Sequence, residues 1–213
     1  PEGLALLARR QSAGRGREGR GWDSPAGTLH VSVLLRPSGP ARDAPQWALL
    51  GAVALADALA EGLPDPAAIR LKWPNDLLLG EAKLAGMLSE SAAGPAGGIE
   101  WLVIGFGANL AHAPPLEGRA TACLAALCPA PAPEVVAARL LRALEGWREA
   151  GFAAVRRAWM ARGPAPGTRL ALRAGARRVE GLYAGLAEDG SLLLDTGAGP
   201  RPFSTGETEP GGQ

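Results

Sequence analysis

The sequence predicts an α+β fold: a mixed or antiparallel β-sheet flanked by helices, followed by a small all-β unit. Three observations carry that expectation. Leu29, Val31, Val33 and Leu35 alternate with small or polar residues, the period of a strand with one face on a core. Residues 47–63 are apolar almost all round, as in a helix buried on every side. Beyond Gly163-Pro164-Ala165-Pro166-Gly167 the pattern turns to short strands separated by glycine or aspartate turns. The expected division is a main domain over 1–163 and a second over 167–213. A chain of 213 residues with 47% apolar content suits one sizeable core with a small appendix.

Taken in order, Gly3 to Arg9 reads as a strand that feeds a long glycine-rich loop. After the Pro25-Ala26-Gly27 turn, Thr28 to Arg36 is the next strand, with the loop expected to lie across the sheet. His30 falls on the polar phase and is expected to be exposed. Pro45 suits the first turn of the apolar helix. Ile69 to Leu79 returns to extended chain, interrupted by Lys72-Trp73-Pro74-Asn75-Asp76, where Pro74 keeps Trp73 out of the helical region. Gly80-Glu81 turns the chain into a strand over 83–90, and 91–98 reads as a small-residue turn. A strand over 99–106 then breaks into Gly105-Phe106-Gly107-Ala108-Asn109. Val136, Leu140, Leu144 and Trp147 recur at helical intervals, and a second helix follows over 152–160. The tail reads as strands over 169–173, 177–186, 191–195 and 201–205, with Glu188-Asp189-Gly190 as a hairpin turn.

Charge is concentrated in one place. Arg9, Arg10, Arg15, Arg17 and Arg20 against Glu18 give the loop +4, while the chain as a whole carries +1, so the remainder is net acidic. Guanidinium forks and consecutive backbone N–H groups suit a phosphate or carboxylate, and Trp22 adds a flat face for a base. Three further clusters bring cations, amides and bare backbone to strand ends: Lys72 to Asp76, Lys83-Leu84-Ala85-Gly86-Met87, and Gly105 to Asn109. Lys83 follows Asp76 by seven residues across a short turn, so a hairpin brings the two together at one end of a site. Such a set fits nucleotidyl transfer to a carboxylate, where catalysis rests on positioning and on cations that meet charge growing on phosphorus oxygens. A carboxylate such as Asp76 suits Mg²⁺ bridging the phosphates.

Other classes are disfavoured. Cys123 and Cys128 have no second cysteine pair or histidine cluster beside them, which argues against structural zinc, and a disulfide between them is not expected. No apolar run approaches the ~18 residues that span a bilayer, and the start of the sequence lacks a signal-peptide layout. The expected location is the cytoplasm.

Together, Gln-x-Ala-Gly-Arg-Gly-Arg-x-Gly-Arg-x-Trp, Lys-Trp-Pro-Asn-Asp, Lys-Leu-Ala-Gly-x-Leu-x-Glu and Ile-Gly-x-Gly-x-Asn resemble the biotin protein ligase family, also called biotin–[acetyl-CoA-carboxylase] ligase, over about Leu4 to Leu110. The tail resembles that family's SH3-like C-terminal β-barrel. The resemblance implies a biotin/lipoate ligase-like catalytic domain that forms biotinyl-5′-AMP from biotin and ATP, with Mg²⁺. Biotin then passes to a lysine of the biotin carboxyl carrier domain of acetyl-CoA carboxylase or a related carboxylase.

On this resemblance Lys83, Arg15 and Arg17 are the catalytic set, with Lys83 on the reacting carboxylate and α-phosphate oxygens. Gln11, Gly14, Arg15, Arg17, Lys83, Gly86 and Gly105 serve biotin. Trp22 stacks on adenine, and Arg20, Lys72, Asn75, Asp76 and Asn109 serve the nucleotide, with Asp76 also the candidate Mg²⁺ ligand.

Many members place a Ser-Thr-Asn segment and a helix before the first matched strand, so residues before Pro1 or another segment are expected to complete the biotin pocket. Glu18 stands where some members carry an arginine. No winged helix-turn-helix pattern occurs, so a monofunctional ligase that binds neither DNA nor membrane is expected. A homodimer through a sheet edge near the arginine loop is also implied. A lipoate–protein ligase shares the fold and adenylation logic, but the Gly-Arg-Gly-Arg loop and Lys-Trp-Pro-Asn-Asp favour biotin. A nonenzymatic RNA-binding module, the reading from another class, conflicts with the net acidic remainder of the chain.

Overall fold

The computed structural model describes residues 2–212, with the side chain of Glu18 outside that description; expectations resting on Pro1 also lie outside the described residues. Six strands form the first sheet: β1 (Leu4–Leu7), β2 (Leu29–Leu35), β3 (Ile69–Lys72), β4 (Asp76–Leu79), β5 (Ala82–Ala93) and β6 (Ile99–Ala108). Their order is β1-β2-β6-β5-β4-β3, and every ladder is antiparallel. Of the two arrangements expected, the antiparallel one is realised.

The two faces of this sheet differ in a way the alternation dictates. Leu29, Val31, Val33 and Leu35 of β2 and Leu102, Ile104, Phe106 and Ala108 of β6 are buried on one side. That side is covered by α1 (Ala44–Ala60), which α2 (Pro133–Ala150) and α3 (Phe152–Arg162) cover in turn. Residues 49–56 of α1 are all buried because the helix lies between sheet and helices, which explains its lack of a polar stripe. The other face carries small residues. Gly86 of β5 stands opposite Gly107 of β6, and Gly105 lies between Leu88 of β5 and Ser32 of β2. With so little side chain there, the sheet offers a floor on which another group can lie.

The tail folds into β7 (Arg169–Ala174), β8 (Arg177–Leu186), β9 (Leu192–Asp195), β10 (Pro200–Phe203) and β11 (Glu207–Pro210). Their order is β10-β9-β8-β7-β11, an open five-stranded sheet in place of the closed barrel expected. The tail is no detached appendix. Leu170, Leu172, Tyr183 and Leu192 join the same buried cluster as the first sheet. Trp73 in the β3–β4 turn is held from the tail on two sides: its indole N–H donates to Gly190 O at 3.3 Å, and its carbonyl accepts from Thr208 Oγ1 at 2.8 Å.

Four local expectations change. β5 runs on to Ala93, because Ser91, Ala92 and Ala93 pair with β6, and the turn is confined to 94–98. β10 covers 200–203, so the strand expected over 201–205 starts and stops earlier. β11 was absent from the expected elements; its acidic residues and Pro210 look unlike a strand, but an edge position against β7 tolerates both. His30 is buried at 2% exposure, not exposed. The turn at 25–28 folds over its face, with Thr28 Oγ1 2.6 Å from His30 Nε2, and burial lowers the imidazole pKa despite a hydrogen bond to the Pro25 backbone. No helix among the described residues is long and apolar enough to cross a membrane.

Candidate active site

A cleft of about 890 Å³ opens on the glycine-bearing face, between the arginine loop, the sheet and the edge of β11. The sequence places a loop here because residues 11–22 alternate glycine with long cations and leave no apolar period to anchor a helix or strand. It closes on itself through Trp22 N–H to Gly14 O at 3.0 Å and Gly16 N–H to Arg20 O at 2.7 Å. A Cβ on Gly14 would stand 2.2 Å from the Trp22 carbonyl, so this closure requires glycine there. Closed in this way, the loop sets Trp22 down on the sheet, where a Cβ on Gly107 would meet the indole at 2.8 Å.

The charged centre lies where β4 meets β5. Asp76 is opposite Gly86 in register. Its Oδ1 lies 2.7 Å from Lys83 Nζ and its Oδ2 2.6 Å from Arg119 Nη1. A Cβ on Gly86 would fall 3.1 Å from Asp76 Oδ1 and 3.2 Å from Lys83 Nζ, so the missing side chain makes room for the pair. Burial pushes the Asp76 carboxyl up, yet the Lys83 and Arg119 charges and their hydrogen bonds outweigh it and hold the group below the ordinary carboxylate range. Lys72 stands nearby. Burial lowers its ammonium pKa, the Arg119 charge lowers it further, and Asp76 offsets part of the effect. Lys83 Nζ also sits 5.3 Å from the centre of a Trp22 ring, a cation–π distance that joins the loop to the charged centre.

The remaining site residues divide by position. Gln11, Arg15, Arg17, Arg20, Asn75 and Gly105 line the cleft. Gln11 Oε1 accepts from Ser24 Oγ at 2.8 Å, and the Asn75 side chain donates to Met87 O, fixing the β3–β4 turn against β5. Arg17 donates to Gly206 O at 3.1 Å, while Arg20 pairs with Glu207. Two expected residues lie outside the cleft lining. Gly14 acts through loop closure. Asn109 is buried at 2% exposure, and its Nδ2 donates to Ala122 O at 3.0 Å and Lys83 O at 3.5 Å. It ties the backbone of the catalytic candidate Lys83 to the 120–122 segment.

Of the cleft-lining charged residues that sequence reasoning missed, Arg119 and Glu207 pair with expected site residues. Arg119 sits in a proline-rich connection with no periodicity, and Glu207 lies in the unexpected strand β11. Neither carried a readable signal, because the partners that give them meaning, Asp76 and Arg20, are remote in sequence.

The residues do not make a preformed Mg²⁺ site. Both Asp76 oxygens are taken by cations, and among the described residues no group of three or more His, Cys, Asp or Glu side chains could hold a metal ion. What the arrangement does offer is a small-residue floor, a flat indole, and three cations around one carboxylate. It suits a flat, multiply anionic ligand.

Comparison with known proteins agrees. The family model described as "Biotin/lipoate A/B protein ligase family" matches residues 1–109. A biotin–[acetyl-CoA-carboxylase] ligase of Paracoccus denitrificans is 38% identical over 97% of this chain and 90% of its own length. One from Mycobacterium tuberculosis is 34% identical over 97% of this chain and 78% of its own. Among solved structures, a biotin protein ligase from Aquifex aeolicus in complex with biotin and ATP superposes with a TM-score of 0.81 at 28% identity, covering 98% of this chain and 89% of that one.

Proposed function

Because the chain belongs to the biotin/lipoate A/B protein ligase family, we propose that its cleft activates biotin with ATP as biotinyl-5′-AMP and passes it to a lysine of a biotin carboxyl carrier domain. The observation that carries this reading is the centre at Asp76. A lysine and an arginine are locked on one carboxylate beside the cationic loop, where a carboxylate and a triphosphate have to meet. Such a centre lowers the barrier by holding two anions together and by preorganised charge.

In this reading Arg15 and Arg17 hold the anionic linkage as it forms, and Lys83 lies over Gly86 to meet the reacting oxygens. Gly105 lets the biotin ring system approach the backbone, and Gly86 serves biotin by leaving room for Lys83 above it, while Trp22 supplies the face for adenine. Lys72, Asn75 and Asp76 organise the phosphate side, and Arg20, paired with Glu207, sits at its rim. Asn109 serves the nucleotide by position only, through the backbone of Lys83. Mg²⁺ is proposed as part of the nucleotide substrate, where it would offset phosphate charge beside Asp76. The two proposed domains, 1–163 and 167–213, both border the cleft through the loop and β11.

A homodimer through the open edge of β1 is supported by Leu4 and Leu6, exposed at 56% and 68%. Sedimentation giving the monomer mass at every concentration overturns it.

The function is tested by exchange of labelled pyrophosphate into ATP. Exchange that requires biotin and ignores lipoate is expected; exchange with lipoate, or with neither acid, overturns the assignment. A second test concerns the floor. Gly107→Ala pushes the Trp22 indole off the sheet, and losing one stacking contact weakens ATP binding by about tenfold. Titration of ATP into the variant checks this, with unchanged affinity denying Trp22 the adenine role.

A further inference from the structure

Arg119 is the cation of this cleft that none of the matched motifs contains. It ends a tight turn, with its N–H donating to Leu116 O at 3.2 Å and Gly118 in the left-handed region at φ 70°. The chain that follows is bonded to β5 at Lys83: Lys83 N–H donates to Ala120 O, and Ala122 N–H donates to Lys83 O, both at 2.9 Å. Arg119 is therefore anchored next to Lys83 by backbone, and its approach to Asp76 is built into the fold.

Its guanidinium is half used. Nη1 donates to Asp76 Oδ2 at 2.6 Å, while Nη2 is buried and has no hydrogen-bond partner among the described residues. A buried charged donor without a partner is costly, and here it stands in a cluster where Lys72, Lys83 and Arg119 surround the carboxylate of Asp76, with Glu207 acting on Lys72 as well. The surplus is positive and a donor is spare. An oxyanion entering the cleft corrects both.

We propose that Arg119 binds a phosphate oxygen of the nucleotide through Nη2, with Asp76 holding the guanidinium at the angle that presents it. The assignment rests on the adenylation reading above. Arginine suits the task because its fork serves two acceptors at once, whereas an ammonium is a point charge that cannot reproduce that geometry.

The test is direct titration of ATP and, separately, of biotin into wild type, Arg119→Gln and Arg119→Lys, with thermal melts of each. Loss of one charge-assisted hydrogen bond predicts ATP binding weaker by roughly 10- to 100-fold in Arg119→Gln, with biotin affinity within about twofold of wild type. Arg119→Lys should restore the melting temperature, since a lysine still pairs with Asp76, but not the ATP affinity. ATP affinity restored by lysine reduces Arg119 to a partner of Asp76 and overturns the proposal, as does an unchanged ATP affinity in Arg119→Gln or an equal loss of biotin binding. Because binding is read without turnover, a wild type that fails the pyrophosphate exchange sinks the adenylation reading and still leaves the role of Arg119 decided by these titrations.

Discussion

Lys83→Ala is expected to reduce biotin-dependent pyrophosphate exchange about 10³-fold, the loss that follows removal of one preorganised charge from a developing oxyanion. Its ammonium is fixed from three directions. Asp76 Oδ1 holds it at 2.7 Å, the Trp22 ring lies 5.3 Å away, and its own backbone is bonded to 120–122. Little reorganisation remains for the moment of reaction, which is why removing it costs rate more than binding. The fold should survive, because Arg119 still occupies Asp76 Oδ2. Exchange assays alongside biotin and ATP titrations check this. A drop of less than about tenfold in exchange, or a drop matched by lost affinity, denies Lys83 a special part in the chemical step.

Asp76→Asn is expected to have the largest effect on stability. Removing the carboxylate leaves Lys72, Lys83 and Arg119 facing one another, and breaking a largely buried ion pair costs about 3 kcal/mol. The pH dependence has a definite sign. The native carboxyl titrates below its ordinary value of 3.8, since the Lys83 and Arg119 charges overcome the burial that raises it. Its contribution is thus complete above the unfolded value and is lost as pH falls through the lower native one. The stability gap between wild type and Asp76→Asn should be flat from neutrality down to about pH 5 and should narrow below pH 4. Urea melts of both proteins at pH 7 and in the acid range measure it. A gap that persists undiminished into strong acid would show that Asp76 stabilises by shape and not by charge.

Much of this site was legible in the sequence, and the reasons are local. Gly14, Arg15, Arg17, Lys83 and Asp76 sit in short stretches where glycine, cation and carboxylate recur at spacings that only a loop or a tight hairpin accommodates. The alternation of Leu29 to Leu35 fixed which face of β2 is core. What escaped depends on contacts distant in sequence. His30 obeyed the polar phase of its strand, but the turn at 25–28 covers that face. Asn109 is buried, and its Nδ2 donates to the carbonyls of Ala122 and Lys83, contacts that no local pattern announces. Arg119 acquires meaning only once Asp76, 43 positions away, is beside it. Glu207 is separated from Arg20 by 187 positions, and no local pattern reports such a pairing.

The two hydrogen bonds that the tail makes to Trp73 have a thermodynamic consequence. Trp73 immediately follows Lys72 and comes three residues before Asp76, and Gly190 and Thr208 grip it from both sides. Unfolding the second sheet alone would release that turn, strip the indole of its cover and expose the apolar surface shared by the common core. Unfolding the first sheet alone would bare Leu170, Leu172 and Leu192 in the same way. Neither half has an inexpensive route to melt by itself, so calorimetry should record one cooperative transition with matching calorimetric and van't Hoff enthalpies. The proline-glycine connection at 163–167 then marks where the composition changes, while cooperativity runs straight through it.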